Sequence, residues 1–117
     1  MLKKQYRLRK RFDFKRTYQR GKTVKNKYFV LYYAPNKTGN CQIGFSVSKK
    51  IGKAVVRNKV KRRLREACRP LIPLFTPGYN YIIIARYPIK YISVAETQKL
   101  IKEKIFDLKL KPRMPKA

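Results

Sequence analysis

Arg57, Lys61 and Arg65 stand four residues apart within Lys49–Arg69, a run of which about half is Lys or Arg and only Glu66 is acidic. On a helix this spacing puts three cations in one row, where like charges repel by roughly 0.2–0.5 kcal/mol per pair. Asn58, Arg62 and Arg69 widen the row into a polar stripe, and Lys49, Lys50 and Lys53 lead into it. No acid is spaced to relieve the repulsion along Arg57, Lys61 and Arg65. The chemistry open to such a stripe is phosphate binding, with counterion release supplying affinity.

Catalytic chemistry is harder to find. The chain has no histidine, so imidazole acid–base catalysis is excluded. The five acids, Asp13, Glu66, Glu96, Glu103 and Asp107, form no dense cluster. Two-metal phosphodiester cleavage needs clustered carboxylates. Ser46 and Ser48 precede Lys49 and Lys50, but a polar strand face running into a basic turn accounts for them. Neither a GxxxxGK[ST] nor a GxGxxG loop occurs. Cys41 and Cys68 are too few and too far apart for a zinc site. They read as reduced thiols, which suits the cytoplasm. The expectation is no catalytic residue and no metal ligand in this chain. Any catalytic groups then belong to a partner.

The whole chain repeats the charge argument. Its 117 residues carry 32 Lys and Arg against 5 acids, a formal net charge of +27. Self-repulsion of that size disfavours a compact monomer, so its use is in binding an anion. Yet 44% of the residues are hydrophobic and 15 are Tyr or Phe, which argues for a folded domain and not a disordered tail. The charged N-terminus lacks the apolar core of a signal peptide. No apolar run approaches the ~20 residues of a membrane span.

The elements that must position the stripe follow from periodicity. From about Val55, residues Val56, Val60, Leu64, Ala67, Cys68 and Leu71 form an apolar stripe beside the cationic one, a core-facing helix that ends before Pro70 or Pro73. Leu71, Leu74 and Phe75 are expected to pack at its exit. Phe12–Arg20 reads as a short helix closed by Gly21, with Phe14 and Tyr18 on one face. Lys22–Lys25 reads as a short extended piece. Tyr28–Tyr33 is a strand apolar at both parities, and Cys41–Ser48 a half-buried one whose second face, with Gly44 and Ser46, is small enough to leave room for a ligand backbone. These two are expected to pair as an antiparallel hairpin across the Asn36–Asn40 turn. Tyr79–Tyr87, with three consecutive isoleucines, reads as a central strand. Ser93–Leu110 reads as a helix opened by a Ser93/Glu96 capping box. The sum is a single α+β domain, a two-layer α/β sandwich in the order α-β-β-β-α-β-α. A basic arm over about 1–11 and a tail over about 109–117 read as mobile.

The run Gly44–Ala67, GFSVSKKIGKAVVRNKVKRRLREA, closely resembles the protein subunit of bacterial ribonuclease P. The resemblance rests on the Arg57-Asn58-Lys59 core and its Ser-Lys-Lys lead-in. It extends to Asp13-Phe14 with Tyr18 and Gly21, to Phe29–Tyr32 and to Tyr81–Arg86, and so covers about residues 8–108. Lys59 departs from the stricter Arg-Asn-Arg form. A phosphate contact needs charge before it needs guanidinium geometry, so the change is tolerable.

The resemblance implies a fold shared with the second domain of a small-subunit ribosomal protein, including an uncommon left-handed β-α-β crossover. It implies a ribonucleoprotein in which one protein joins one ribonuclease P RNA and the complex removes the 5′ leader of precursor tRNA. The catalytic Mg²⁺ ions are then held mainly by RNA and substrate. Lys49, Lys50, Lys53, Arg57, Asn58, Lys61, Arg62 and Arg65, with Arg69 extending the stripe, are implied to face the RNA subunit. Phe14, Tyr18 and Tyr32, with Ser46 beside them, are implied to line a leader-binding cleft. The competing readings are a ribosomal or other structural RNA-binding protein, which composition alone favours, and a self-sufficient protein nuclease, which the missing histidine and scattered acids disfavour.

Overall fold

The computed structural model describes residues 4–8 and 11–111. Within them the chain forms α1 (Arg11–Arg20), β1 (Lys22–Lys25), β2 (Phe29–Pro35), β3 (Gln42–Ser46), α2 (Ala54–Cys68), β4 (Tyr79–Ala85) and α3 (Val94–Leu108). Short 3-10 turns precede α1, link β3 to α2, follow α2 and follow β4. Of the basic arm, residues 4–8 lie along β3. Arg7 bridges Ile43, and the buried Leu8 donates its N–H to the Ile43 carbonyl at 3.0 Å. Residues 1–3, 9 and 10 of the arm and 112–117 of the tail lie outside the described residues.

The four strands form one sheet in the order β1-β2-β4-β3. β2 is antiparallel to β1 and to β4, whereas β3 runs parallel to β4. The expected β2–β3 hairpin is therefore wrong: β4 is inserted between them. Its apolar run explains the insertion, because only a central position hides both faces of a strand in which Tyr81, Ile82 and Ile83 are all fully buried. The turn joining β2 to β3 straddles the start of β4. Asn36 donates its N–H to Gly78 O at 2.8 Å, Gly78 donates to Asn40 O at 3.2 Å, and Asn36 Nδ2 donates to Asn80 Oδ1 at 2.9 Å. Gly78 makes this turn at φ 87°, a conformation that favours glycine.

Strand alternation then divides the sheet into two faces. One carries Phe29, Leu31, Ile43, Tyr81, Ile83 and Ala85, all buried in a common core with Val60, Leu64, Ala67 and Cys68 of α2 and Ile101 and Ile105 of α3. The other carries Val30, Tyr32, Ile82, Ile84, Gly44 and Ser46, and α1 lies across part of it. The two-layer sandwich is the sheet with α2 and α3; α1 is an addition on the opposite face.

The apolar stripe of α2 holds as read, with Val56 only half-buried. Leu74 does not pack as expected. Leu71 and Phe75, four residues apart, take the core side of the exit and leave Leu74 37% exposed. The last strand stops at Ala85, and Tyr87 opens a 3-10 turn, Tyr87–Tyr91, with Pro88 in its first positions. In α3 the Ser93 side chain accepts from the Glu96 N–H at 3.1 Å, the forward half of the capping box. Both cysteines are free and buried.

Candidate nucleic-acid interface

Three elements meet at the half-covered face of the sheet. α1 supplies Phe14, Thr17 and Tyr18, which share one side of the helix at i, i+3 and i+4. Thr17 is the buried anchor, and its Oγ1 accepts a hydrogen bond from Asn80 Nδ2 at 3.4 Å. The tip of the Phe14 ring abuts Gly44 of β3, where any Cβ would overlap it. This corrects one expectation: the space beside Gly44 is filled by Phe14 and is not left for a ligand. Gly44 is required by helix–sheet packing, and the open part of the face begins further along β3 at Ser46.

Tyr18 sits at that boundary. Its ring is 6.4 Å from Phe14 and 5.0 Å from Tyr32, the latter edge-on at 89°. Its hydroxyl is close enough to the Ser46 side chain for the two to interact. Partial burial raises the Tyr18 pKa, and the nearby Ser46 side chain only partly offsets it, so the phenol stays neutral in physiological conditions. The four residues read from sequence as one cleft are thus brought together from α1, β2 and β3. Val30 and Ile84, half-buried on the same face, extend the floor beyond Tyr32, and exposed Thr23 and Lys25 of β1 border it. Sequence reading missed Val30 and Ile84 because each looks like an ordinary strand apolar residue. On the outer side of α1, Lys15, Arg16, Gln19 and Arg20 border a shallow concavity.

The cationic stripe is a separate surface. Asn58, Arg62 and Arg69 are exposed, and Arg57, Lys61 and Arg65 are half-buried at the flank of the helix. Lys49, Lys50 and Lys53 are exposed around Ile51, which is buried and pins the connector to the core. Gly52 follows at φ 153°, with Val56 against it. None of the α2 cations is paired with a carboxylate among the described residues. Lys53 occupies the N-cap without a side-chain acceptor, and the first turn holds no acid. The positive end of the helix dipole therefore adds to the lysines around it. Arg63, outside both stripes, donates from Nη1 to Lys90 O at 3.1 Å. The connector ties the two surfaces together, because Ser46 at the cleft is three residues from Lys49.

A ribonuclease P family profile matches residues 2–108. The chain belongs to the ribonuclease P protein family. It is 40% identical over 116 residues to the ribonuclease P protein component of Staphylococcus carnosus, covering 94% of this chain and all of the relative. It is 41% identical over 99 residues to that of Geobacillus kaustophilus, covering 84% and 82%. The ribonuclease P protein structures of Staphylococcus aureus and Thermotoga maritima superpose with TM-scores of 0.76 and 0.71 at 36% and 31% identity. The first match covers 92% of this chain and 98% of that one, the second 87% and 93%. The α+β fold, RNA binding and tRNA processing as part of an endoribonuclease follow from the ribonuclease P family. No helix among the described residues is long and apolar enough to cross a membrane.

Proposed function

We propose that this ribonuclease P protein holds two RNAs on two surfaces. The α2 face and its lysine lead-in bind the ribonuclease P RNA, and the α1–sheet cleft binds the 5′ leader of precursor tRNA. The observation that carries this is the meeting of Phe14, Tyr18, Tyr32 and Ser46 at one open-ended cleft, apart from the α2 cations. Exposed aromatic edges above a neutral floor suit unpaired bases, each stacking contact being worth ~1–3 kcal/mol. An unpaired cationic helix face suits a structured RNA backbone.

The reaction is hydrolysis of the phosphodiester at the leader junction, leaving a 5′ phosphate on the tRNA. Among the described residues no three acid or thiol side chains converge. The described residues therefore do not offer a Mg²⁺ cage of their own, and the ions the reaction needs are assigned to RNA and substrate phosphates. The protein's share is to place the leader and to screen phosphate repulsion between the two RNAs. One protein per RNA and a cytoplasmic setting complete the reading.

Reconstitution with a bacterial ribonuclease P RNA tests it. At low Mg²⁺ the protein should raise the cleavage rate of precursor tRNA or the affinity for it. Failure to bind that RNA, together with no gain in either quantity, overturns the proposal.

A further inference from the structure

We infer that Tyr87, Lys90 and Tyr91 form a third RNA contact, a cradle for an unpaired nucleotide of the same RNA that α2 binds, with the base stacked on Tyr91. The inference rests on the reading of α2 as the face toward the ribonuclease P RNA. Tyr87 and Tyr91 are 50% and 71% exposed. Single exposed aromatics are ordinary on protein surfaces; these two are organised around one cation. Their rings lie 5.9 Å apart at 63°, and their hydroxyls are 3.2 Å apart. Lys90 Nζ is 3.9 Å from the Tyr87 ring centre and 5.3 Å from that of Tyr91.

The cradle is rigid and is fastened to the α2 side of the molecule. Ile89, between the tyrosines, is buried, and Pro88 stiffens the turn. Lys90 Nζ donates to Ile51 O at 3.3 Å, in the connector flanked by Lys49 and Lys50. Arg63 of α2 donates to Lys90 O. The aromatic pair is thus continuous with the cationic surface, and the cleft of Phe14 and Tyr32 opens on the other face of the sheet. An ammonium has three donors, and one of them is used on Ile51. The others lie beside the Tyr87 and Tyr91 rings and hydroxyls, and a phosphate next to a stacked base would take them over from those hydroxyls. A chain of net charge +27 with these groups on its surface fits a nucleotide better than an apolar protein segment.

The test is the affinity of the full chain for ribonuclease P RNA, measured for the parent, Tyr91→Ala and Tyr91→Phe. The alanine variant should bind about tenfold more weakly, in the range of one lost stacking contact. The phenylalanine variant, which keeps the ring, should stay within about twofold of the parent. Unchanged binding by the alanine variant overturns the cradle. So does an equal loss in both variants, which would mark a hydroxyl contact. A loss confined to precursor tRNA binding by the assembled holoenzyme would move the contact to the substrate and overturn the assignment. If the parent itself fails to bind the RNA, the proposed function falls with it; if the parent binds and the alanine variant matches it, only the cradle falls.

Discussion

The two faces of the sheet are made by the same four strands and differ in what covers them. On one, Phe29, Leu31, Ile43, Tyr81 and Ile83 disappear beneath α2 and α3. On the other, the single helix α1 covers Gly44 and Ile82 and stops short of Val30, Ser46 and Ile84, which remain half-buried. The first face spends its apolar area on stability. The second leaves part of its aromatic surface uncovered. A small domain can do both because one residue spacing, period two, serves two purposes at once. The helices repeat the contrast. α2 and α3 have 15 residues each and pack on the same face. α2 carries six Lys and Arg against one Glu, and α3 balances Lys99, Lys102 and Lys104 with Glu96, Glu103 and Asp107. Of α2 and α3, only α2 is left with an uncompensated positive field.

The largest effect should come from the closed face. Leu64→Ala removes a fully buried side chain beneath the sheet and should cost about 2–5 kcal/mol in denaturant unfolding. A loss below ~1 kcal/mol would mean that this face is less closed than its burial indicates. Arg57→Ala with Arg65→Ala should leave the melting temperature close to the parent's while weakening RNA binding and lowering its salt dependence by about two counterions. A melting shift as large as that of Leu64→Ala would erase the distinction between the two sides of α2.

On the open face, Tyr32→Ala should weaken precursor tRNA binding by about tenfold and mature tRNA binding hardly at all. Equal losses for both would remove the leader from the cleft. Gly44→Val, which displaces the Phe14 ring without altering charge, should produce the same selectivity on a smaller scale. The smallest effect is chemical. Burial pushes the Cys41 thiol up to about 11 and the Cys68 thiol further. A raised thiol pKa favours the protonated, unreactive form, so iodoacetamide at pH 8 should label neither cysteine until denaturant is added. Rapid labelling of either in the native protein would mean that the closed face opens readily.

Particular residues show where reading the chain reached and where it stopped. Val60, Leu64, Ala67 and Cys68 were legible because a helix period is a local property. The Ile82–Ile84 run announced a central strand, since apolar residues at both parities need cover on both sides. The same logic did not say which strands would flank it. Cys41–Ser48 alternates equally well beside β2 or β4; chain proximity favours the hairpin with β2, and the structure pairs it in parallel with β4. Tyr87 reads as the end of a strand because it closes the run that Tyr79 begins; Pro88 and the buried Ile89 turn it outward instead.

The charge, the two-sided helix and the absence of histidine belong to the sequence alone, because composition and period need no partner to be defined. They set the expectation of a polyanion partner and of no catalytic residue among these side chains. The cleft belongs to the tertiary structure. Phe14, Tyr18, Tyr32 and Ser46 come from three elements, and their rings meet only when α1 lands on Gly44. So does the Tyr87–Lys90–Tyr91 cluster as a surface, which needs Ile51 and Arg63 to hold it against α2. Long-range juxtaposition depends on how the strands are ordered, and that order is settled by burying β4 between its neighbours, an energy that no single segment carries.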